Sequence, residues 1–323
     1  MDPKIIKQDA KAALEYQQNA PRKLALLHTG VIVIFSLLTT LVSFLLDQAV
    51  SSAGGLSGIA LRSALETGQV VLSLAGTILI PFWQISFVFA ALQISRKQTA
   101  GPDSLLEGFR QWGKVLRMNI LLTLVAIFVM LACSYGASII FMVSPMSDKI
   151  YTALEPLMTT DITELTPQME EMVLSQSGWL FGILGGLLIL IGLPVLYRYR
   201  MCQFSLMDGG KGARHAINRS KLLSIHNRME MFRFDLSFWW YYLGLSLLSS
   251  LANITSYLEI FGISLPISNN VLFWVFYLLS LAAQLLFAYF FSPYYYTSCA
   301  LYYERMKDRF LTPVNPPPTP FEF

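Results

Sequence analysis

The feature that most constrains this chain is a set of six apolar runs, none of which contains Asp, Glu, Lys or Arg. A helix rises 1.5 Å per residue, so about 20 residues are needed to cross ~30 Å of hydrocarbon. The composition agrees, because 54% hydrophobic and only 13% charged residues would be unusual in a soluble protein. We predict an all-α, polytopic integral membrane protein whose six transmembrane helices are 24–46, 70–92, 118–143, 179–197, 236–258 and 271–292.

The loop charges predict the orientation of these spans. Apart from Arg62 and Lys149, all 23 basic residues fall in the N-terminal segment, the second and fourth loops and the C-terminal segment. Since Lys and Arg beside a span are retained on the cytoplasmic side, both termini are expected in the cytoplasm. The first run is too long for the apolar core of a signal peptide, and we interpret it as an uncleaved anchor.

A weak threefold pattern runs through the chain. Each even-numbered span carries a proline towards its predicted cytoplasmic end, and each odd-numbered span follows a segment with helical spacing of apolar residues. The prolines, to which we assign a structural role as helix bends, are Pro81, Pro194 and Pro293. The alternative is that proline is simply common in transmembrane helices. We predict one membrane domain, 1–310, made of three hairpin-like repeats with cytoplasmic amphipathic helices. The repeats are 1–97, 98–210 and 211–309. A disordered Pro-rich tail, 311–323, follows the domain.

Catalytic and metal-binding patterns do not emerge from the sequence. His28, His215 and His226 are not paired, and no GxSxG elbow occurs. The stretch MDGGKGAR, 207–214, lacks the spacing of a phosphate-binding loop, and it is typical of a turn. We therefore predict no catalytic residue, no metal and no cofactor, and we expect a protein that is not an enzyme.

The fourth loop combines basic and apolar residues in a pattern that suits a membrane surface. We predict contacts with anionic lipid headgroups or a partner protein from Arg214, Arg219, Lys221, Arg228 and Arg233. The alternative is that these charges only set the topology. The apolar residues expected to lie in the interface with them are Ala216, Ile217, Leu222, Leu223, Ile225, Met229 and Phe232.

The segment then changes from basic to aromatic where the fifth span begins. Trp239 and Trp240 are expected to lie at headgroup depth, where amphipathic rings are favoured. Asp235 is predicted to be an N-cap or to form an ion pair, and not to be catalytic.

This segment resembles a bacterial membrane family known as domain of unknown function 975. The matching positions are Ser220, Lys221, Leu222, Asn227, Arg228, Phe232, Phe234, Asp235, Leu236, Ser237, Phe238 and Trp240. His226 departs from the pattern, since glycine commonly precedes the asparagine in that family. The resemblance implies a six-span membrane fold, distantly like the membrane part of some glycerophosphodiesterases, a structural place for Asn227, and no established activity.

Together these features predict a non-enzymatic multi-pass membrane protein that interacts with lipids or with a membrane or secreted peptide partner. A transporter or exporter of a neutral or amphiphilic compound is the alternative. An oligomer is left open, and no nucleic-acid partner is expected.

Overall fold

The fold is helical throughout the residues that the computed structural model describes, which are 2–52, 56–145, 147, 152, 178–209, 211–225, 227–260 and 269–310. The predicted tail, 311–323, His226 and most of the loop 144–178 lie outside these residues. No strand occurs within the described ranges, which confirms the all-α class.

The described helices occur in the following order along the chain. They are α1 (Pro3–Tyr16), α2 (Ala20–Ser52), α3 (Leu56–Ser95), a 3-10 turn (Pro102–Leu106), α4 (Glu107–Arg110), α5 (Trp112–Val143), α6 (178–187), a π-helical turn (Leu188–Gly192), α7 (Leu193–Tyr199), α8 (Cys202–Met207), α9 (Ala213–Ser224), α10 (Arg228–Leu236), α11 (Trp239–Leu251), α12 (Ile254–Ile260) and α13 (Asn269–Phe310).

Five helical segments are long and apolar enough to cross a membrane. Each contains one of the predicted runs and extends beyond it. The segments are Ala20–Leu46, Arg62–Ser95, Trp112–Val143, Gly178–Met207 and Asn270–Phe310. The extensions arise because a helix continues into polar residues as long as its backbone bonds are satisfied, whereas hydropathy marks only the apolar part.

The remaining predicted span, 236–258, is not one continuous helix. Leu236 ends α10, and the apolar stretch is divided between α11 and α12 by a turn at Ala252 and Asn253. The hydroxyls of Ser249 and Ser250 both donate to the carbonyl of Ser246 at 2.9 Å, and such back-bonding bends a helix. Within the described ranges, helix length and composition therefore identify five candidate spans, and the remaining predicted span stays a prediction.

The described residues form two compact units, of which the first comprises Met1–Leu116 and Met201–Phe323. In this unit α2, α3 and α13 pack against one another, and α1 lies along α13. A buried apolar cluster joins α2, α3 and the 3-10 turn, with Leu24, Phe87 and Leu105 among its members. The Trp83 indole fixes the pairing of α2 and α3, because its N–H donates to the carbonyl of His28 at 2.9 Å.

The second unit, Arg117–Arg200, contains most of α5 together with α6, the π-helical turn and α7. Gly136 of α5 allows close packing, since a Cβ there would lie 3.3 Å from Leu187 of α6. Cys133 and Ala137 on the same helix are buried. The unit is a pair of closely packed apolar segments with small residues between them.

The prolines occupy two different settings. Pro81 and Pro293 lie inside α3 and α13, both of which continue through them. Pro194 stands at the start of α7, directly after the π-helical turn. A π-helical turn is a recognised way to accommodate a missing backbone donor.

Candidate functional site

The basic-to-aromatic boundary of the sequence is a turn at Ser237 and Phe238, between α10 and α11. Lys7 of α1 holds this turn: its Nζ donates to the carbonyl of Ser237 at 2.6 Å and lies 4.2 Å from the centre of the Phe238 ring. Burial lowers the pKa of Lys7. The N-terminal helix is thereby attached to the segment that carries the family resemblance.

A buried carboxylate near this segment gathers several charges. Asp208 has a side chain that is only 6% exposed, and Arg96, Arg219 and Lys307 all pair with it. Arg219 Nη2 lies 3.1 Å and Lys307 Nζ 2.9 Å from Asp208 Oδ2. The Tyr303 hydroxyl donates to the same oxygen at 3.0 Å. We call this set, completed by Glu304, the Asp208 cluster.

Glu304 supplies the second negative charge of the cluster. It pairs with Arg96, and its Oε2 lies 3.6 Å from Lys307 Nζ. The Arg219 guanidinium also lies 5.9 Å from the centre of the Tyr303 ring, within the range of cation–π attraction. Three cations and two carboxylates thus share one network, in which each charge has at least one partner of the opposite sign.

The cations set the ionisation of Asp208. Burial alone would raise the pKa of its carboxyl, but hydrogen bonds from Lys307 and Arg96 and the charges of both outweigh burial, so the pKa lies below its ordinary value. Asp208 is therefore an anion at neutral pH. It is a fixed counter-charge and is unsuited to act as an acid in proton transfer.

The local sequence explains how Asp208 reaches its partners. It follows α8 directly, and the chain then turns through Gly209 at φ 78°, a conformation that favours glycine. Arg96 follows the end of α3, and Lys307 lies near the end of α13. The predicted turn at 207–214 is confirmed for the described residues, and it places Asp208 beside the ends of two other helices.

Several residues of the family pattern face inward and have structural partners. The Ser220 hydroxyl accepts from the backbone N–H of Met201 at 3.2 Å. Asn227 is buried at the N-cap of α10, and its amide donates to the carbonyl of Leu223 at 3.0 Å. The bond from Asn227 links the start of α10 to α9, and it is compatible with the structural role expected for this residue. The bond to Ser220 links α9 to the residue before α8.

The aromatic residues of the pattern form a stacked core with α13. Phe234 stacks on Tyr302 with ring centres 4.5 Å apart, and Phe238 meets Tyr295 edge to face at 5.4 Å. Phe234 and Phe238 are fully buried. This packing fixes α10 and the following turn against the last helix.

The opposite face of α9 and α10 is exposed and mixed in character. Arg214, Arg228 and Arg233 are exposed there, and none of them has an ion-pair partner among the described residues. The apolar Leu222 and Met229 beside them are 60% and 64% exposed. Ile225 and Phe232 are exposed on the same segment. We call this set of seven residues the outer face.

Some of the predicted assignments are wrong. Ala216, Ile217 and Leu223 are buried inside the protein and do not reach a membrane interface, because they form the inner face of α9. Of the two roles predicted for Asp235, the N-cap is wrong, because Asp235 lies in the last turn of α10 and Phe238 occupies the N-cap of α11. The ion pair stays a prediction.

Other predicted residues are located as follows. Arg219 is bound within the Asp208 cluster, and Lys221 is half-buried on α9. Trp239 is exposed at the start of α11, whereas Trp240 packs edge to face on Phe291 with ring centres 5.3 Å apart.

No pattern in the sequence predicted the Asp208 cluster. Among its members, only Arg219 was a predicted site residue. One signal was available, since Asp208 is the only acidic residue between 198 and 229 in an otherwise basic stretch. Arg96, Tyr303 and Lys307 lie 112, 95 and 99 residues from Asp208 along the chain, and no local spacing connects them.

No group of three or more His, Cys, Asp or Glu side chains suited to a metal occurs within the part of the chain that the structure describes. The Asp208 cluster is rich in cations, which compete with a metal for the carboxylate.

The helices define a class: a helical protein with five segments suited to crossing a membrane and a network of charges at helix ends. The family described as "Protein of unknown function (DUF975)" matches residues 1–310, and the chain belongs to this family. The resemblance found in the signature segment is thereby confirmed. No curated protein and no solved structure matches the chain.

Proposed function

We propose that this protein is a multi-pass protein of a bacterial cytoplasmic membrane that acts by binding anionic phospholipid headgroups through its outer face. The observation that carries the proposal is the combination, on the exposed side of α9 and α10, of three arginines that pair with none of the described residues and apolar side chains of adjacent turns. Apolar residues on this face would lie at the acyl boundary while the guanidinium groups reach phosphates.

The attraction of each basic residue to an anionic membrane is modest, but the contributions of several residues add. Each Lys or Arg beside an anionic membrane contributes on the order of 1 kcal/mol. Arg214, Arg228 and Arg233 would together contribute about 3 kcal/mol. Arg219 is the exception among the predicted contacts, since its charge is largely neutralised by Asp208. Lys221, half-buried, is a weaker candidate.

We further propose that the chain crosses the membrane six times, with α11 and α12 together forming the fifth span. The contact between the chain's two end helices supports an even number, because Arg305 near the end of α13 pairs with Asp9 of α1. Five crossings would leave these residues on opposite sides of the bilayer. The basic loops favour a cytoplasmic position for both.

The Asp208 cluster also supports the three-repeat interpretation. It joins the residues that follow α3, α8 and the apolar part of α13, which are the ends of the three proline-bearing segments. If the repeats are real, these ends are equivalent positions that meet at one carboxylate.

The lipid proposal is tested by replacing Arg214, Arg228 and Arg233 together with glutamine. The protein is reconstituted in vesicles of equal phosphatidylglycerol and phosphatidylcholine and extracted, and retained lipid is measured by native mass spectrometry. We expect retained phosphatidylglycerol to fall at least tenfold, since about 3 kcal/mol of attraction is removed.

The matched control replaces Lys4, Lys11 and Lys23 with glutamine, which removes the same charge from α1 and the start of α2. Equal losses in both triple variants would mean that total charge governs retention, and the outer face would not be a site.

Transport of a neutral or amphiphilic compound is the second candidate, favoured by a cavity of about 270 Å³ beside Pro293. Vesicles carrying fluorescent phospholipid on the inner leaflet test it: a transporter would bring the fluorophore to the outer leaflet, where an impermeant reductant quenches it, faster than empty vesicles do.

A further inference from the structure

The cavity beside Pro293 has one polar wall and one apolar wall. The end of α1 supplies Glu15, the connection to α2 supplies Gln18 and Asn19, and the start of α2 supplies Arg22. The last helix, α13, supplies Phe290 and Pro293. Its volume of about 270 Å³ is slightly below the range for drug-sized ligands, so it suits a headgroup better than a whole lipid.

The polar wall carries one charge of each sign. Within the described part of the chain, neither the Glu15 carboxylate nor the Arg22 guanidinium forms an ion pair, and Arg22 lies 6.0 Å from the centre of the Tyr289 ring. The connection between them is sharply turned, since Gln18 adopts φ 53°. The two charges therefore line the same cavity and remain available to a ligand.

Pro293 lies in the apolar wall of the cavity, inside α13. It has no backbone N–H, so α13 lacks one helical hydrogen bond at this level.

The apolar wall continues towards the middle of the bilayer. Phe290 is 54% exposed, and Leu286, one turn earlier on α13, is also exposed. A ligand whose polar end occupies the cavity could therefore lay a hydrocarbon chain along α13.

We propose that this cavity binds a phosphate ester that carries a primary amine, the headgroup chemistry of an aminophospholipid. Arg22 binds the phosphate, while the Glu15 carboxylate accepts from the ammonium group. A purely anionic headgroup would leave Glu15 facing a phosphate without a cation. A quaternary ammonium has no N–H to donate. None of these residues belongs to the outer face, so the site stands apart from the proposed function.

The test uses the full chain in vesicles of equal phosphatidylethanolamine, phosphatidylcholine and phosphatidylglycerol, with retained lipids measured by native mass spectrometry. We expect phosphatidylethanolamine to be retained in preference to the other two. Arg22→Gln should reduce its retention about tenfold, the effect of losing one charge-assisted contact. Glu15→Gln should abolish the preference for phosphatidylethanolamine over phosphatidylglycerol.

Two controls match these changes. Lys11→Gln removes one exposed positive charge from α1, and Asp103→Asn removes one exposed negative charge from the same unit. Both should retain phosphatidylethanolamine as the unaltered protein does. Thermal unfolding of each variant in detergent checks that it is folded.

Free glycerophosphoethanolamine distinguishes the source of the headgroup. Displacement of the lipid by the free compound would support a soluble ligand of this chemistry, and retention of the lipid in its presence would support a membrane lipid. The proposal is overturned if folded Arg22→Gln and Glu15→Gln variants retain lipids as the unaltered protein does, or if the controls lose as much.

Discussion

Asp208 shows how one side chain can organise distant segments. Its carboxylate is nearly buried, and it accepts hydrogen bonds from a tyrosine hydroxyl and from cations of three different helices or loops. A buried carboxylate is costly unless it is paired, and here the pairing is redundant. The loss of one partner is therefore expected to matter less than the loss of Asp208 itself.

We predict that Asp208→Asn lowers the free energy of unfolding by about 2–3 kcal/mol. This is somewhat less than for a fully buried pair, because Arg96 and Lys307 keep about a third of their side-chain exposure. Chemical unfolding in detergent micelles measures it. Asp308→Asn, an exposed carboxylate on the same helix as Lys307, should change stability by less than about 0.5 kcal/mol.

The same residue gives a pH dependence with a definite sign. The folded pKa of Asp208 lies below the ordinary value of 3.8, so its stabilisation is complete above about pH 4 and is lost as the pH falls through the folded pKa. The stability difference between the unaltered protein and Asp208→Asn should thus shrink below pH 4. A difference that grew on acidification would contradict the assignment of Asp208 as a paired anion.

At the residue scale, the sequence indicated which residues have a structural or binding role better than it indicated their partners. The expectation that Arg219 contacts lipid rested on its helical neighbours. The structure pairs it with Asp208, which precedes α9 across a glycine turn. Partner choice depends on which segments the tertiary fold brings together, and spacing along one helix does not contain that information.

Among the elements, α4 is held against α3 at one small residue. The backbone N–H of Gly108 donates to the Ser86 hydroxyl at 2.8 Å, and that hydroxyl donates to the carbonyl of Phe82. A Cβ at Gly108 would collide with the Phe82 carbonyl oxygen, which belongs to the backbone and cannot rotate away. The approach of α4 to α3 therefore requires glycine.

We predict that Gly108→Ala destabilises the protein by about 2–3 kcal/mol through overpacking. Gly113→Ala is the matched control, because nothing lies within 4 Å of its Cβ position and alanine favours the helix by up to ~1 kcal/mol. Thermal unfolding in detergent should move in opposite directions for the two variants. Equal shifts would mean that α4 does not pack as closely as described.

At this scale the sequence predicted five of the long helices and missed the break in the fifth apolar run, 236–258. Hydropathy averages composition over a window, so it does not detect a turn at Ala252 and Asn253 within an apolar stretch. The serines before the turn carried a signal, since their hydroxyls compete for backbone carbonyls.

For the whole molecule, the number of crossings follows from where the two ends meet. Asp9 and Arg305 are close, so α1 and the end of α13 share a side in the six-span proposal. Single cysteines can test this because Cys133, Cys202 and Cys299 are all buried and should react slowly.

We predict that cysteines at Lys11, Asn218 and Asp308 react with an impermeant maleimide only after the cells are permeabilised, while a cysteine at Asn270 reacts in intact cells. All four positions are exposed. Asn218 and Asn270 flank α11 and α12, so opposite behaviour there shows that the broken helix crosses. Labelling of Lys11 and Asp308 from opposite sides would refute an even number of crossings.

The Asp208 cluster also has a consequence for the order in which the chain is made. Arg96 leaves the ribosome 112 residues before Asp208, and Lys307 follows Asp208 by a further 99. Until α13 is synthesised, the carboxylate lacks its tyrosine and lysine partners, and Arg96 lacks Glu304. Completion of the network thus reports that the final helix has arrived. In a nascent chain stopped before Tyr303, Asp208 and Arg96 would each lack part of their partners, and this side of the protein would be open to a quality-control protease.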